Sequence, residues 1–356
     1  MTKRGGFFTI DDIDFNNKIV LLRVDYNVPL DNKGKIVDDT RIKKTLPTIK
    51  LLLRKGAKQI IIISHLGRPK SKKESKYSLK KVATRLQILI KKPVKFEKAT
   101  LKDRILMLEN LRFNKGEEKN DKQFAKKLAK MADLYVNDAF SNSHRKHASM
   151  CAITNYLPGC AGLLLKNEIE VMQNAIDKPK RPFVAIVGGG KINTKLPLMK
   201  TMVKKADKVL VGSSIAQALK KKKSIKNKKI LFPVDFIEKD SKYYDIGPKT
   251  IKGFTNIIMK AKTICWNGPV GWYEKKEYEK GTKAIAKAIA VATKKNKAIS
   301  IAGGGETGEA IKRFKLTNKF THVSTGGGAS LMLWQGKELP AIKALKQSYR
   351  KFKNKF

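Results

Sequence analysis

Short apolar runs that alternate with stretches of helical periodicity are the feature that most constrains the fold of this chain. The runs are rich in Val and Ile and have the length of buried strands, and apolar residues recur every three or four positions in the stretches between them. In the first half, predicted strands cover 18–24, 59–63, 105–108 and 134–136, and predicted helices cover 41–54, 78–90 and 122–131. Alternation of this kind predicts the α/β fold class, with strands paired in parallel.

The same alternation repeats in the second half. A helical stretch over 163–176 leads to the proline-containing segment 177–182, which marks a boundary. Beyond it, predicted strands cover 183–187, 208–211, 229–232, 263–266, 298–301 and 321–323, and a helix is predicted over 276–294. The 356 residues are enough for two domains of ordinary size. We therefore expect two parallel-sheet α/β domains.

The composition argues against a membrane protein, a secreted protein and a zinc-binding protein. Hydrophobic residues make up 41% of the chain, which is enough for packed cores. No run approaches the 18 apolar residues of a membrane span, and the first ten residues have no apolar core of signal-peptide length. The three cysteines, Cys151, Cys160 and Cys265, have no C-x-x-C spacing, so neither disulfides nor zinc is indicated. We expect a cytoplasmic protein without a membrane partner.

The formal net charge of +48 is unusual for an α/β protein. A charge this high favours nucleic acid or an anionic membrane as the partner. However, only 12 of the 78 basic residues are Arg, the residue that reads bases and grips phosphates with paired hydrogen bonds. The lysines are spread over the whole chain. We therefore expect no specific nucleic-acid partner, although polyanions should adhere nonspecifically at low salt.

Three glycine triplets follow predicted strands of the second half: Gly188–Gly190, Gly303–Gly305 and Gly326–Gly328. Glycines let the backbone turn sharply and expose N–H groups to a phosphate. Lys191 and Lys195 follow the first triplet four residues apart, so in a helix both ammonium groups would face the same side. The spacing does not match the Walker pattern. Tight-turn packing is the alternative for any one triplet, but three together favour a nucleotide-phosphate site.

Polar residues cluster just after predicted strands of the first half, at the edge where an open α/β sheet forms its ligand crevice. These residues are Asp25, Asn27, His65, Arg68, Arg112, His144 and Arg145. With Arg41, four of the 12 arginines converge there if the strands are neighbours. A basic crevice with a carboxylate to take a hydroxyl fits a small phosphorylated acid, whereas surface loops with locally paired arginines are the alternative. The histidines have no carboxylate partner at metal-site spacing, so zinc is not indicated.

Six motifs resemble the signatures of the phosphoglycerate kinase family and occur in the order of that family. They are R-V-D-Y-N-V-P at 23–29, S-H-L-G-R-P at 64–69, L-E-N-L-R-F at 108–113, N-D-A-F-S-N-S-H-R-K-H at 137–147, W-N-G-P-V-G at 266–271 and V-S-T-G-G-G-A-S at 323–330. The resemblance implies two Rossmann-like parallel-sheet domains joined by a hinge helix, with phosphoglycerate bound by the N-terminal domain and the nucleotide by the C-terminal one. The implied limits are 1–162 for the N-terminal domain, 163–180 for the interdomain helix and linker, 181–336 for the C-terminal domain and 337–356 for a segment that returns to the N-terminal domain.

The same resemblance implies roles for individual residues. The residues implied for phosphoglycerate are Asp25, Asn27 and Arg41 at the glyceric acid and its reacting end, and His65, Arg68, Arg112 and Arg145 at the 3-phosphate, with Leu66 and Gly67 of the same loop. The residues implied for the nucleotide are Lys195, Asn267, Glu274, Gly304, Gly305, Glu306 and Thr307, with Glu306 as the Mg²⁺ ligand. The implied catalytic set is Arg41, Lys191, Lys195, Gly326, Gly327 and Gly328.

The chain departs from the family pattern in four places. Glu306 stands where the family usually has Asp, and the extra methylene moves the carboxylate by about 1.5 Å. The segment Gly212-Ser-Ser214 replaces a Gly-Gly step on the adenine side, which adds side chains where the base should lie. The chain is also shortened before Ile105 and between Asp235 and Asp245. The substituted residues bear on nucleotide affinity, and the shortened segments bear on stability or hinge contacts. The choice between ADP and GDP stays open.

The implied reaction is reversible phosphoryl transfer from 1,3-bisphosphoglycerate to ADP, giving 3-phosphoglycerate and ATP. In the reverse direction the nucleophile is a carboxylate that is already ionised at pH 7, so no general base is required. Positioning and charge neutralisation must supply the catalysis, with a closing motion that excludes water. We expect Mg²⁺ as the cofactor, small molecules as the partners and a monomer. Two alternatives stay open, namely another acyl-phosphate or sugar kinase, and a polyanion-binding protein with a decayed site.

Overall fold

The computed structural model describes residues 6–70, 72–100, 102–222 and 227–355, and its chain falls into two units. The first unit comprises the described residues up to Glu168 together with those from Glu338 onwards, and the second comprises those of Ile169–Lys337. Helix α5, defined below, carries the chain from the first unit into the second. The prediction of two parallel-sheet α/β domains is confirmed.

The first unit is built on a seven-stranded parallel sheet. Its strands are β1 (Phe8–Thr9), β2 (Ile19–Val24), β3 (Gln59–Ile63), β4 (Lys95–Phe96), β5 (Ile105–Met107), β6 (Leu134–Asp138) and β7 (Gly159–Ala161), in the order β1-β7-β6-β2-β3-β5-β4. Its helices are α1 (Thr40–Arg54), α2 (Lys80–Ile90), α3 (Lys115–Glu118) and α4 (Lys122–Ala129). Strands β2 and β3 consist mainly of branched apolar residues and are buried along almost their whole length, as in a parallel sheet that is covered on both faces.

The register of the central strands brings the predicted site loops to one edge. Arg23 pairs with Ile63 of β3 on one side and with Asn137 of β6 on the other. The three strands therefore end side by side, and the segments that follow them start from neighbouring points. The condition that the strands be neighbours is met for β2, β3, β5 and β6.

The second unit follows helix α5 (Leu163–Asp177) and has a six-stranded parallel sheet with a separate hairpin. Its strands are β8 (Phe183–Val187), β9 (Lys208–Val211), β10 (Ile230–Leu231), β11 (Phe236–Lys239), β12 (Lys242–Ile246), β13 (Thr263–Asn267), β14 (Ile299–Gly303) and β15 (His322–Val323), with the sheet order β10-β9-β8-β13-β14-β15. Its helices are α6 (Ile192–Lys205), α7 (Ser213–Lys222), α8 (Pro248–Lys260), α9 (Lys280–Asn296), α10 (Gly305–Arg313) and α11 (Gly327–Trp334).

The strand ends of the second sheet are also in register. Asn267 at the end of β13 pairs with Val187 on one side and with Gly303 on the other. The first two glycine triplets therefore start from positions on either side of Asn267. The hairpin of β11 and β12 is antiparallel and turns through Asp240 and Ser241, both of which have positive φ, as a two-residue hairpin loop requires.

The last helix, α12 (Pro340–Phe352), belongs to the first unit. Ala341 N donates to Ser143 O at 3.1 Å, and Gly159 N donates to Ser348 Oγ at 2.9 Å. Buried Ala341, Ala344 and Leu345 lie on one face of the helix, which explains why this polar-looking segment folds against the sheet. Among the helices of the described ranges, none is long and apolar enough to cross a membrane.

Candidate active site

Asp25, the first polar residue after β2, is joined to Arg41 in the first turn of α1. Arg41 Nη1 forms an ion pair with Asp25 Oδ2, and the same carboxylate oxygen accepts a hydrogen bond from Ser141 Oγ. Arg41 Nη1 also lies 3.3 Å from Ser141 Oγ. The structure therefore brings together two of the residues predicted at the reacting end of the acid, and it adds Ser141, which the motifs contain without a predicted role.

The loop after β3 is held from two sides. Asn27 Oδ1 accepts a hydrogen bond from Gly67 N at 2.8 Å, and Arg112 Nη1 donates to Gly67 O at 2.6 Å. Gly67 has a φ of +62°, and a Cβ at this position would overlap the ring of Tyr77, so only glycine fits. Leu66 is buried in the core, and its backbone carbonyl accepts a hydrogen bond from Asn110 Nδ2 at 2.7 Å.

The histidines of the first unit lie in a field of positive charge. Burial, followed by the charges of Arg23, Arg112 and Arg145, lowers the pKa of His65 well below its usual value. Burial and the same three arginines lower the pKa of His147 to about 3. Burial also lowers the pKa of His144, and Arg145 adds to the effect. Carboxylates are also near, since Asp25 Oδ1 lies 3.9 Å from His65 Nδ1 and Glu117 Oε1 lies 3.7 Å from His147 Nδ1. Neutral imidazoles can accept or donate hydrogen bonds without adding charge, so the positive charge of this edge comes from the arginines.

Arg145 and Arg68 differ in exposure. Arg145 is half-buried and close enough to His65, His144 and His147 to lower their pKa values. Arg68 is exposed at the end of the loop that holds Gly67. The structure thus gathers Arg145 with the histidines and leaves Arg68 at the rim.

The motif analysis gives no site role to Arg23, which lies inside a predicted strand. Arg23 is completely buried, with Nε donating to Ser149 Oγ at 2.9 Å and Nη2 lying 3.5 Å from His65 Nδ1. Buried Glu117 lies 3.9 Å from Arg23 Nη2. The sequence signal for such a residue is a charged side chain within a predicted buried strand. An arginine is rarely buried without polar or charged partners, so Arg23 indicates a polar cluster at that point.

In the second unit, Lys195 and Asn267 form the centre of the glycine-lined edge. The Lys195 side chain lies in the second turn of α6, is 9% exposed and donates to Asn267 Oδ1. Asn267 Nδ2 in turn donates to Gly303 O at 2.8 Å, which ties β13 to the second glycine triplet. Burial lowers the pKa of Lys195 to about 8, although the nearby Glu306 carboxylate opposes this shift.

Two of the glycines are required by packing. A Cβ at Gly188 would overlap Pro269 O, and a Cβ at Gly268 would overlap Gly188 O, so the turns after β8 and β13 touch through their backbones. In contrast, apart from the chain neighbours and the nearby backbone of the same helix, no described heavy atom lies within 4 Å of a Cβ placed at Gly190 or Gly305. Turn packing therefore explains Gly188 and Gly268, whereas Gly190 and Gly305 face open space.

Gly304 and Thr307 shape the start of α10. Gly304 has a φ of +108°. Thr307 Oγ1 accepts a hydrogen bond from Gly268 N at 2.7 Å and donates to Gly303 O at 3.1 Å. The Thr307 hydroxyl therefore joins two of the loops and is already engaged.

Glu306 is exposed in the first turn of α10 and points towards the first glycine triplet. Its Oε2 would lie 3.3 Å from a Cβ at Gly189, and its charge acts on Lys195. The carboxylate predicted as a metal ligand is thus close to the lysine predicted as a phosphate contact.

The third glycine triplet adjoins the second. A Cβ at Gly327 would lie 3.3 Å from Gly305 N. Gly326 is the N-cap residue of α11, and its own N–H donates to Ser324 Oγ at 3.1 Å. The N–H groups of Gly327 and Gly328 are in the first turn of α11, where helical amides have no partner within the helix.

Two predicted residues, Lys191 and Glu274, are exposed, and the condition that Lys191 lies in a helix with Lys195 is not met. Helix α6 starts at Ile192, so Lys191 is the exposed N-cap residue and does not share a helical face with buried Lys195. Glu274 is also exposed, and its backbone carbonyl accepts a hydrogen bond from Arg313 Nη1 at 3.1 Å.

Ser213 and Ser214, which replace a glycine step, differ in burial. Ser213 is buried, and its Oγ donates to Val270 O at 2.9 Å. Ser214 is exposed. Of the two added side chains, the Ser213 hydroxyl is therefore bound to the backbone of the loop after β13.

Comparison with known proteins identifies the family to which this chain is similar. The phosphoglycerate kinase family model matches residues 10–232 and 218–337. Similar proteins include the phosphoglycerate kinase of Dictyoglomus turgidum, 43% identical with 94% of this chain and 97% of the relative covered. The phosphoglycerate kinase of Leptospira biflexa is 41% identical, with 94% and 97% covered.

Among solved structures, the phosphoglycerate kinase of Coxiella burnetii has a TM-score of 0.84 at 36% identity, with 96% of this chain and 99% of that chain covered. The enzyme of Pyrococcus horikoshii has a TM-score of 0.83 at 31% identity, with 97% and 100% covered. The motifs, the two sheets and these similarities agree, and the chain belongs to the phosphoglycerate kinase family.

Proposed function

We propose that this chain catalyses reversible phosphoryl transfer from 1,3-bisphosphoglycerate to ADP, with the acid bound by the first unit and the nucleotide by the second. The observation that carries the proposal is the contrast between the two strand edges. The first has arginines and neutral histidines beside a carboxylate, and the second has glycine loops around Lys195 and Asn267. The first suits a phosphorylated acid, and the second suits a polyphosphate.

For the acid, we assign Asp25, Asn27 and Arg41 to the glyceric acid and its reacting end. We assign His65, Arg68, Arg112 and Arg145 to the 3-phosphate, with Leu66 and Gly67 contributing backbone. Support comes from the shared strand edge and from the arginines that lower the histidine pKa values. A phosphate bound there would meet several fixed cations, which is the arrangement that binds phosphate tightly.

For the nucleotide, we assign Lys195, Asn267, Gly304, Gly305, Glu306 and Thr307 to the phosphates and Glu274 to the ribose. Thr307 would act through the loops that it joins. Glu306 fits Mg²⁺ because its exposed carboxylate lies beside Lys195, and Mg²⁺ is bound in proteins by one or two carboxylates together with phosphates. When bound with the nucleotide, Mg²⁺ supplies positive charge against the phosphate oxygens.

The phosphoryl transfer needs positively charged groups and correct positioning of the reactants, but it needs no general base. The acceptor carboxylate is ionised at neutral pH, so the residues must orient it and neutralise the transferring group. We assign this task to Arg41, Lys191, Lys195 and the amides of Gly326, Gly327 and Gly328. The structure supports Lys195 most directly, because burial makes its charge act in a less polar surrounding.

We also propose domain limits, location and assembly. The limits 1–162, 163–180, 181–336 and 337–356 follow the family resemblance. A cytoplasmic location is supported by the three cysteines, which carry free thiols. We propose that the enzyme acts as a monomer, since its predicted substrate and nucleotide residues all come from one chain.

A coupled assay tests the proposed function. The purified chain is given ATP, Mg²⁺ and one acceptor at a time, and product is followed through a dehydrogenase that consumes 1,3-bisphosphoglycerate, with ADP release as the general readout. We expect turnover with 3-phosphoglycerate and none with acetate, glycerate or glucose. Turnover with one of the other acceptors but not with 3-phosphoglycerate would indicate a different kinase.

A further inference from the structure

The start of α1 is held by a cluster of charges that has no part in the roles proposed above. Asp39 Oδ2 accepts hydrogen bonds from Arg85 Nε at 3.0 Å and Arg85 Nη2 at 2.6 Å. Asp39 Oδ1 lies 2.8 Å from Lys43 Nζ, one turn further along α1. Both oxygens of this carboxylate are therefore engaged by cations.

Asp39 is the N-cap residue of α1, yet its side chain does not cap the helix. Aspartate is among the best capping residues because its oxygen can accept a free N–H of the first turn. Here the carboxylate is directed instead to Arg85 on the neighbouring helix α2. The first turn of α1 is thus attached to α2 through Asp39, while the neighbouring Asp38 Oδ1 accepts a hydrogen bond from Thr40 N at 3.0 Å.

Helix α2 is a firm support for this attachment. Val82, Ala83, Leu86 and Ile90 bury one face of α2 in the core of the first unit. From the same helix, Lys81 Nζ donates to Gly34 O at 3.0 Å, in the loop that leads to α1. Since Arg85 pairs with two hydrogen bonds, it fixes direction as well as distance.

Arg41 lies two residues beyond Asp39, in the turn that is held. Its guanidinium reaches Asp25 and Ser141 at the strand edge. A charged group that neutralises a transferring phosphoryl must be held within about 0.5 Å of its working position. Helix ends fray, so a first turn released from α2 would let Arg41 move over a larger range.

We propose that Asp39 and Arg85 form a positioning pair for Arg41, a role that rests on the proposed catalytic function of Arg41. The pair does not touch substrate in this account. The pair fixes the position and orientation of the first turn of α1, and therefore those of the Arg41 guanidinium. Loss of the pair should therefore lower kcat and leave the KM for ATP nearly unchanged. A purely structural surface pair would change neither, because exposed ion pairs contribute little to stability.

A double-mutant cycle on kcat tests the proposal. The variants are Arg85→Ala, Arg41→Ala and the double substitution. Arg85→Ala should lower kcat by about tenfold, since small displacements of a positioned group cost up to about a hundredfold. In the Arg41→Ala background, the same change should alter kcat by less than about twofold, because no guanidinium remains to be positioned. Arg85 is 38% exposed, so its variants should fold, and thermal unfolding checks this.

Two further variants complete the test. Arg85→Lys keeps the charge but loses the paired hydrogen bonds, so its kcat should lie between those of Arg85→Ala and the unchanged chain. The matched control is Arg54→Ala. Arg54 is an exposed arginine in the last turn of α1, the helix that carries Arg41, and its loss should leave kcat unchanged. An unchanged kcat in Arg85→Ala, or an equal loss with and without Arg41, would overturn the proposal. If Arg41→Ala alone kept full kcat, the catalytic role of Arg41 would fail and the pair with it, while turnover of 3-phosphoglycerate would still support the reaction.

Discussion

At the scale of single residues, Lys195 is the group whose charge should set the pH dependence of nucleotide use. Its pKa is lowered to about 8 by burial. Below that pH the ammonium is protonated and attracts the nucleotide phosphates, and above it the charge is lost. We therefore expect kcat/KM for ATP, which reports the enzyme before the nucleotide binds, to fall as the pH rises through about 8.

The substitution Lys195→Arg provides the control. A guanidinium stays charged over the whole range, so the fall near pH 8 should vanish even if the rate is lower overall. Both profiles are measured at saturating 3-phosphoglycerate. A fall that persists unchanged in Lys195→Arg would assign the titration to another group.

Glu306 is the second residue whose role can be tested alone. If its carboxylate binds the Mg²⁺ of the nucleotide, Glu306→Gln should raise the Mg²⁺ concentration needed for half-maximal rate, because Mg²⁺ prefers charged oxygen ligands. The matched variant Glu306→Asp keeps the charge and should retain the Mg²⁺ requirement of the unchanged chain more closely than Glu306→Gln does. An identical Mg²⁺ titration for Glu306→Gln would remove Glu306 from the metal site.

At the residue level, the sequence indicates the position of side chains that follow strands but gives no role to a side chain within a strand. Asp25 and Asn27 stand directly after β2, so the rule for parallel sheets places them at the ligand edge. Arg23 belongs to the same strand, and its partners His65, Ser149 and Glu117 come from other parts of the chain. Spacing along the chain carries no information on such a contact between distant segments.

At the scale of elements, the turns after β8 and β13 depend on glycine. Gly268 has a φ of +94°, and an added Cβ would overlap Gly188 O. Gly268→Ala should therefore destabilise the second unit by at least about 1–3 kcal/mol, the cost of one strained backbone position. Chemical denaturation, followed by the midpoint of unfolding, is the measurement.

Gly253 offers a matched glycine with the opposite expectation. It is exposed within α8, and apart from its chain neighbours and the nearby backbone of its own helix, no described heavy atom lies within 4 Å of an added Cβ. Gly253→Ala should stabilise the chain by about 0.5–1 kcal/mol, because alanine loses less backbone entropy in a helix. Equal midpoints for the two variants would contradict the account of the touching turns.

Element prediction worked best for strongly periodic or continuously apolar segments. The limits predicted for α1 and β3 agree with the structure to within one residue. Helix α8 lies in a stretch without a predicted element, although buried Thr250, Phe254 and Ile258 recur at helical spacing. The long polar face and Gly253 weaken this pattern, and only packing against the core makes the helix evident.

At the scale of the whole molecule, the net charge of +48 should act on rates. Both substrates are anions, so a positive field increases their encounter rate until salt screens it. We expect kcat/KM to fall with rising ionic strength while kcat changes less. Binding of unrelated oligonucleotides should be weak, without sequence preference and steeply dependent on salt. Tight, sequence-selective binding near physiological salt would instead support a nucleic-acid partner.

The division of binding between the two units is tested most directly by hydrogen–deuterium exchange with each ligand alone. 3-Phosphoglycerate should slow exchange in the segments 25–29, 64–69 and 137–147 and leave 188–195, 303–307 and 326–330 unchanged, whereas ADP with Mg²⁺ should do the reverse. Inorganic phosphate at equal ionic strength controls for nonspecific binding to the basic surface. Protection of the glycine loops by 3-phosphoglycerate alone, or of the same unit by both ligands, would contradict the account.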